Sequence, residues 1–201
     1  MLRDDFEKKD ELIEAALEEF SEKDFESASI NQIIKNSGMS KGAFYYNFLN
    51  KEDLFFYLID LAAKKKIDFL NNYKDNENVD FQDIFSILKE KIKVANIFIS
   101  ENQLIYKFSL KLLNQKNSSI FDKILDKYGP QTEDFMKPMV LESFEKGVFD
   151  PKYPPDFIVR VISYFFINYS KLFGEETESL ESVSEKLDLL ISFLKSGFEK
   201  K

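Results

Sequence analysis

Two short apolar segments flank the dipeptide Ser37-Gly38, and this pattern constrains the fold of the first quarter of the chain most strongly. Glycine readily takes the left-handed conformation that closes a helix. Ser29 and Ser40 stand where a serine hydroxyl can cap the helix on either side of the glycine. Gln32 lies three residues after Ser29, as in a capping box. The pattern predicts a helix-turn-helix from about Ser29 to Phe48.

Apolar residues recur at helical spacing along nearly all of the remaining chain, and no segment alternates convincingly as a strand would. A helix that ends near Lys23 precedes the predicted helix-turn-helix, and a long one from Asn50 to about Tyr73 follows it. Gly129-Pro130 predicts a break, and the polar residues 74–80 predict an ordered loop. Further helices are predicted over about Phe81–Phe98, Glu101–Leu113, Ser119–Tyr128, Thr132–Lys146, Pro155–Phe173 and Ser179–Phe198.

These helices predict an all-α protein with two domains. Residues 1–50 are expected to form a three-helix head that carries the helix-turn-helix. Residues 51–201 are expected to form a helical body for ligand binding and dimerisation, with the helix from about 51 to 73 as the link between them.

Charge is unevenly distributed: the net charge is −8 at pH 7, yet no acidic residue occurs between Ser27 and Lys51. This stretch contains Lys35, Lys41 and Lys51, whereas the preceding segment, 4–25, is strongly acidic. A local basic surface within an acidic protein suits contact with phosphates. By itself, the charge leaves DNA binding and a merely solvated surface as equal alternatives.

The composition removes several classes of functional site. The chain has no Cys and no His, so it has no thiolate or imidazole metal ligand, no cysteine nucleophile and no Ser-His-Asp triad. The sequence therefore predicts a protein that is not an enzyme, with no catalytic residue, cofactor or metal site. It has no N-terminal leader pattern and no apolar run of about 18 residues, so a cytoplasmic location without a membrane partner is expected.

The run from Leu12 to Leu58 closely resembles the N-terminal domain of the TetR family of bacterial repressors. The resemblance is carried by Ile33-Ile34 with Gly38, by the run SKGAFYYNF that begins at Ser40, and by the segment Asn50-Lys51-Glu52-Asp53-Leu54. It implies a homodimer that binds double-stranded DNA at a palindromic operator. It also implies that a small apolar or amphipathic effector releases the repressor from that operator.

The second helix of the helix-turn-helix is expected to enter the major groove with its first turns. Lys41 leads this helix, Gly42 permits close approach of the backbone, and Tyr45 and Tyr46 carry hydroxyls on rigid side chains. Phe44 and Phe48 are expected in the core. The DNA contacts implied by the resemblance, together with these residues, are Ser29, Lys41, Gly42, Tyr45, Tyr46, Asn47 and Lys51.

The resemblance also implies their roles. Lys41 and Gly42 are expected to contact base edges, Ser29 and Tyr45 a phosphate, and Tyr46 the DNA backbone or a thymine methyl. Lys51 is expected to clamp a phosphate. A cation at a helix N-terminus opposes the macrodipole, so a lysine at this position suggests a role outside the stability of the helix itself. The alternatives are a packing role for Tyr45 and solvated surface positions for the lysines.

Two positions depart from the family pattern. Asp24 stands where the family usually has Gly, and Asp tolerates the left-handed region better than most residues. Asn47 stands where the family favours His, so its partner, a phosphate or a base, stays open.

The last two predicted helices carry more apolar residues than one core face needs. Two such helices from each of two copies would form a four-helix bundle, as in family dimers. The alternative is that both helices are simply monomer core. The predicted interface residues are Phe157, Val161, Tyr164, Phe165, Leu187, Leu190, Ile191 and Leu194.

The remaining helices are expected to surround an effector cavity, as the resemblance implies. The candidate lining residues are Phe98, Tyr106, Phe108, Phe121, Tyr128, Phe135 and Met139, each of which could equally be ordinary core. Two other functions stay open: a DNA-binding regulator without a small-molecule ligand, and a helical scaffold whose helix-turn-helix is structural.

Overall fold

The computed structural model of the chain describes residues 5–73, 83–113, 118–173 and 180–200. Over these residues the chain forms ten helices and one isolated antiparallel bridge, between Phe149 and Glu199. The all-α prediction is therefore confirmed. The loop predicted for residues 74–80 lies outside the described residues. The helices are α1 Lys9–Glu22, α2 Ile30–Ser37, α3 Lys41–Asn47, α4 Lys51–Asn72, α5 Ile84–Glu101, α6 Gln103–Leu113, α7 Ser119–Glu145, α8 Pro155–Ile167, α9 Tyr169–Phe173 and α10 Leu180–Phe198.

The break predicted at Gly129-Pro130 was wrong, because α7 continues through it and through Pro138. Proline lacks the N–H that a helix interior needs, so the helix must be held by other contacts. Ile124 and Met136, on either side of the dipeptide, are buried at 8% and 5% exposure. Burial of apolar side chains on both sides of the dipeptide favours a continuous helix.

The single helix predicted over Pro155–Phe173 was also wrong, because Asn168 separates α8 from α9. The Asn168 side-chain amide donates to the carbonyl of Tyr164 at 3.0 Å. An asparagine side chain that bonds to the backbone competes with the helix ladder, which favours an interruption here.

The chain divides into two compact units, and the division falls within α5. The first unit contains the described residues of 1–73 and 98–117, and the second contains those of 74–97 and 118–201. In the first unit α1 packs against both α2 and α6. In the second, α7 packs against α8. The domain boundary predicted at residue 50 stays a prediction.

Aromatic side chains fill the core of the first unit. The Phe20 ring lies 4.9 Å from that of Phe55, and the Phe55 ring lies 5.5 Å from that of Phe108, centroid to centroid. All three side chains are fully buried. Phe20 is in α1, Phe55 in α4 and Phe108 in α6, so these ring contacts join three helices of the first unit.

The second unit has its own apolar core. Its members are Ile84, Phe85, Leu88, Met136, Val140, Phe149, Ile158, Val159, Ile162, Leu190, Ile191, Leu194 and Phe198. They come from α5, α7, α8 and α10, and from the turn after α7. None of the helices within the described ranges has the length and apolarity required to cross a membrane.

Candidate DNA-binding surface

Two hydrogen bonds that involve side chains hold the start of α2. The Ser29 hydroxyl accepts a hydrogen bond from the N–H of Gln32 at 3.4 Å, so Ser29 caps α2 as predicted. The reciprocal half of the predicted capping box is absent, because the Gln32 amide donates to Asn36 instead. The N–H of Ser29 donates to the Glu19 carboxylate at 2.8 Å. Glu19, only 6% exposed on α1, thus takes the role predicted for Gln32.

The turn between α2 and α3 is closed by Gly38, which has φ 62° and ψ 17°. This left-handed conformation was predicted, and it strongly favours glycine. The ammonium of Lys8, which immediately precedes α1, donates to the Gly38 carbonyl. The ring of Phe6, in the same N-terminal segment, lies edge-on to Phe48 at 5.9 Å. The segment before α1 therefore contacts both the turn and the end of α3.

α3 has one buried and one exposed face. Phe44 and Phe48 are 0% and 1% exposed, which confirms the core prediction. Ser40 caps the helix by accepting from the N–H of Ala43 at 3.1 Å. Tyr45 and Tyr46 are 47% and 90% exposed, although both are large and aromatic.

Lys41 and Gly42, at the start of α3, are exposed as well. A Cβ atom added at Gly42 would have no atom of the chain within 4 Å. The chain itself therefore does not require glycine here, and the missing side chain leaves the backbone of α3 open to a partner molecule.

Two hydrogen bonds hold the connection between the end of α3 and the start of α4. The Asn50 side-chain oxygen Oδ1 accepts from the N–H of Asp53 at 2.9 Å, so Asn50 caps α4. The Asp53 carboxylate accepts from the N–H of Leu49, also at 2.9 Å. Leu49 itself is 80% exposed. The Asn47 side-chain amide donates to the Ala43 carbonyl at 2.9 Å, so its N–H is engaged within α3.

Lys51, the predicted phosphate clamp, makes three contacts within the chain. Its ammonium donates to the carbonyls of Glu26 and Ala28, at 2.9 and 3.0 Å. It also lies 4.8 Å from the centroid of the Phe25 ring. These contacts supply a reason within the chain for a lysine at the start of α4.

Asp24 does not use the left-handed conformation that the comparison with glycine suggested. Over the described part of the chain, Lys8 is the one non-glycine residue with a positive φ. The Asp24 carboxylate instead pairs with the ammonium of Lys111 on α6, at 2.8 Å. Its carbonyl accepts from the N–H groups of Ser27 and Ala28, each at 3.0 Å. The aspartate thus orders the α1–α2 loop, residues 23–29.

The predicted dimer residues fall into two groups within the second unit. Leu190, Ile191 and Leu194 are at most 4% exposed and belong to the core of the chain itself, so their side chains are not at its surface. The other five are exposed or half-buried: Phe157, Val161, Tyr164, Phe165 and Leu187. Sequence reasoning missed Leu189 and Phe193 on the opposite side of α10, which are 68% and 67% exposed.

The predicted pocket residues are divided between the two units. Phe98, Tyr106 and Phe108 belong to the first. The Phe98 ring lies 5.4 Å from Phe69, and Phe108 is in the aromatic core described above. In the second unit, Phe121 is buried, Tyr128 is half-buried and Met139 packs against the core. Phe135 is 46% exposed there, with the Lys91 ammonium 5.6 Å from its ring.

An open cleft of about 520 Å³ in the second unit contains none of these residues. It is lined by Asp83, Lys146, Gly147, Val148, Lys195, Glu199 and Lys200. Within it, the Lys195 ammonium lies 3.1 Å from the Asp83 carboxylate, which also accepts from the N–H of Ser86 at the start of α5. The pair connects α10 to the first turn of α5.

Comparison with known proteins agrees with this geometry. Residues 12–58 match the family described as "Bacterial regulatory proteins, tetR family". IcaR of Staphylococcus epidermidis, an HTH-type negative transcriptional regulator of the biofilm operon icaADBC, is 27% identical over 145 residues, which cover 66% of this chain and 78% of IcaR.

Two solved structures share the fold. A TetR family transcriptional regulator from Chloroflexus aurantiacus is 23% identical, with a TM-score of 0.66 over 97% of this chain and 94% of that one. SmeT in complex with triclosan is 14% identical, with a TM-score of 0.67 over 96% and 92%. The match of residues 12–58 covers most of α1, all of α2 and α3, and the beginning of α4, and so contains the surface described above. Residues 12–58 of the chain thus match the TetR family of bacterial regulatory proteins, and the chain shares the fold of a solved TetR family regulator.

Proposed function

We propose that this regulator is a homodimeric repressor that binds a palindromic operator through α3 and leaves it when a small apolar or amphipathic ligand binds. The observation that carries the proposal is the division of α3 into a buried phenylalanine face and an exposed face with Lys41, Gly42, Tyr45 and Tyr46. Aromatic side chains this exposed on a lysine-bearing helix are suited to contact with a nucleic acid.

The proposed contacts divide into base and phosphate contacts. Lys41 and Gly42, in the first turn of α3, contact base edges, while Tyr45 donates to a phosphate and Tyr46 touches the backbone or a thymine methyl. One N–H of the Asn47 side-chain amide is held by the Ala43 carbonyl, so Asn47 presents its side-chain oxygen and its second N–H. Ser29 completes the set from the N-terminus of α2.

A homodimer is supported by the exposed apolar residues of the second unit. Phe157 and Tyr164 lie two turns apart on α8, and Leu189 and Phe193 lie one turn apart on α10, with exposures between 48% and 68%. A chain that exposes four such residues on two helices gains free energy if a second copy covers them. Two heads related by a two-fold axis would read a palindromic site.

Repression and ligand release are supported by the relatives. IcaR is a negative regulator by name, and SmeT was solved with triclosan, a ligand of that protein. For release, the ligand must favour the conformation that binds DNA poorly. A tenfold loss of DNA affinity corresponds to about 1.4 kcal/mol of coupling between the two sites.

The test is selection of DNA from a random-sequence pool by the full chain, followed by fluorescence anisotropy of the selected duplex at two salt concentrations. We expect a palindromic sequence, preferred over a scrambled duplex, with affinity that falls as salt rises. Sedimentation of the complex measures its stoichiometry, and an amphipathic panel that includes triclosan screens for release. Equal binding to selected and scrambled duplexes would instead favour the scaffold alternative.

A further inference from the structure

We infer that Lys51 is a positioning residue: its ammonium holds the α1–α2 loop, residues 23–29, and thereby the N-terminus of α2, and it does not clamp a phosphate. The inference rests on the proposed function, because it concerns how the DNA-reading surface is held in place. It replaces the phosphate role given to Lys51 above.

The Lys51 ammonium already has partners within the chain. A lysine ammonium has three N–H donors. Two of them donate to the carbonyls of Glu26 and Ala28, at 2.9 and 3.0 Å, and the group lies 4.8 Å above the Phe25 ring. A phosphate clamp would have to share the one remaining donor or give up these contacts.

The amides of the α1–α2 loop have partners of their own. Those of Ser27 and Ala28 donate to the Asp24 carbonyl, and that of Ser29 donates to the buried Glu19 carboxylate. Lys51 therefore satisfies two carbonyls of a loop in which the amides of these residues are already satisfied, within the loop or by Glu19 of α1. Without the ammonium, the carbonyls of Glu26 and Ala28 would lose the contact that ties the loop to α4.

The α1–α2 loop leads directly into the helix-turn-helix. Ala28 immediately precedes Ser29, the cap of α2, and α2 leads through the Gly38 turn directly into α3. A shift at the start of α2 therefore changes the direction in which α3 leaves the turn. In this way Lys51 affects DNA binding through α2 rather than through its own contact.

The experiment compares Lys51→Met with Lys35→Met in the full chain. Lys35 is an exposed lysine on α2, so its substitution removes the same charge from the same unit without touching the loop carbonyls. Hydrogen–deuterium exchange is measured by mass spectrometry on peptides covering residues 24–30, without DNA. Affinity for the selected duplex is then measured over a range of salt concentrations.

We expect exchange in residues 24–30 to become at least about fivefold faster in Lys51→Met and to stay unchanged in Lys35→Met. We expect the DNA affinity of Lys51→Met to fall about tenfold at a fixed salt concentration, with an unchanged slope of log affinity against log salt. A lost phosphate contact would lower the magnitude of that slope by about 0.9.

A slope reduced by that amount overturns the inference, whatever the exchange result. Unchanged exchange, or unchanged DNA affinity, also overturns it. If Lys51→Met does not fold, as judged by circular dichroism, Lys51→Gln takes its place in both measurements. If the wild-type chain selects no DNA, the proposed function fails, and the exchange comparison alone decides whether Lys51 holds the loop.

Discussion

The Glu19 carboxylate accepts a hydrogen bond from the backbone N–H of Ser29 at 2.8 Å, although the two residues are ten apart in the sequence. The same carboxylate oxygen pairs with the Lys23 ammonium, also at 2.8 Å. A buried acid on α1 thus completes the cap of α2, which is the first helix of the helix-turn-helix.

Glu19→Ala is expected to lower the free energy of unfolding by about 1–3 kcal/mol, because it leaves the half-buried N–H of Ser29 without its acceptor. Glu19→Gln retains an oxygen in the same place and is the matched control, with a smaller loss. Urea unfolding monitored by circular dichroism measures both. Equal losses in the two variants would mean that the charge, and not the acceptor, stabilises this site.

Asp24→Gly, which restores the residue usual in the family, is expected to destabilise the chain by about 1 kcal/mol. The substitution removes the ion pair with Lys111, and it adds backbone freedom at a position that does not use positive φ. Thermal unfolding of Asp24→Gly, Lys111→Met and the double variant forms a cycle that isolates the pair. The coupling should shrink in 1 M salt. A more stable Asp24→Gly would contradict this account of the loop.

Asp83 is expected to make stability depend on pH in the acidic range. Burial opposes ionisation of Asp83, but hydrogen bonds from the Ser86 N–H and the Lys195 ammonium outweigh it and hold the pKa of the carboxyl below its ordinary value. A group whose folded pKa is depressed contributes stability that is complete above its unfolded pKa, about 3.9, and is lost as pH falls through the folded pKa.

The variant Asp83→Asn tests this. We expect it to be less stable than the wild type by about 1 kcal/mol at pH 7, a figure reduced for the solvent screening of Lys195. The difference should begin to close below about pH 4 and should shrink further as the wild-type carboxyl becomes protonated. Thermal unfolding at several pH values measures it, and a difference that stays constant down to pH 2 would exclude the carboxylate as its source.

Tyr45→Phe is expected to weaken DNA binding about fivefold at every sequence, because it removes only the hydroxyl that is proposed to donate to a phosphate. Lys41→Ala should weaken binding and also relax the base preference. Both side chains are exposed, so neither substitution should change the unfolding midpoint. Repeating the DNA selection with each variant separates the two effects; the same relaxed preference in both would contradict the assigned roles.

Leu189→Glu and Leu190→Glu place the same charge at adjacent positions of α10 with different expected results. Leu189 is 68% exposed, so its variant should stay folded but dissociate to monomers and lose operator affinity. Leu190 is 4% exposed in the core, where an unpaired carboxylate costs several kcal/mol, so its variant should unfold. Sedimentation and circular dichroism measure both. A dimeric Leu189→Glu would move the interface elsewhere.

Much of the helix-turn-helix and of the start of α4 was predictable from the sequence, because local chemistry determines where these helices begin and end. Ser29, Ser40 and Asn50 cap the helices that their positions indicated, and Gly38 takes the left-handed conformation. An acidic residue such as Glu19 is expected on the polar side of a helix, yet Glu19 is buried: it lies seven residues after the buried Leu12 and three after the buried Ala16. That helical spacing indicates a buried position, whereas the acidic side chain of Glu19 favours an exposed one.

Contacts between distant residues were less predictable. No pattern around Lys51 indicates that the carbonyls of Glu26 and Ala28 will meet its ammonium, because that depends on how α4 is placed against the loop. Periodicity identified the apolar residues of α10, but it could not tell that Leu190 faces the chain's own core while Leu189 faces outward. The tertiary packing of the unit decides which apolar stripe is covered.

The two faces of α10 have an evolutionary consequence. A cell that contains several related regulators must keep their subunits from exchanging. Leu190, Ile191 and Leu194 are buried in the core of the single chain, whereas Leu189 and Phe193 are exposed. The two exposed residues can therefore diverge between paralogues without destabilising the fold of the subunit. In a proposed dimer built this way, the identity of the partner can change while the fold of each subunit is preserved.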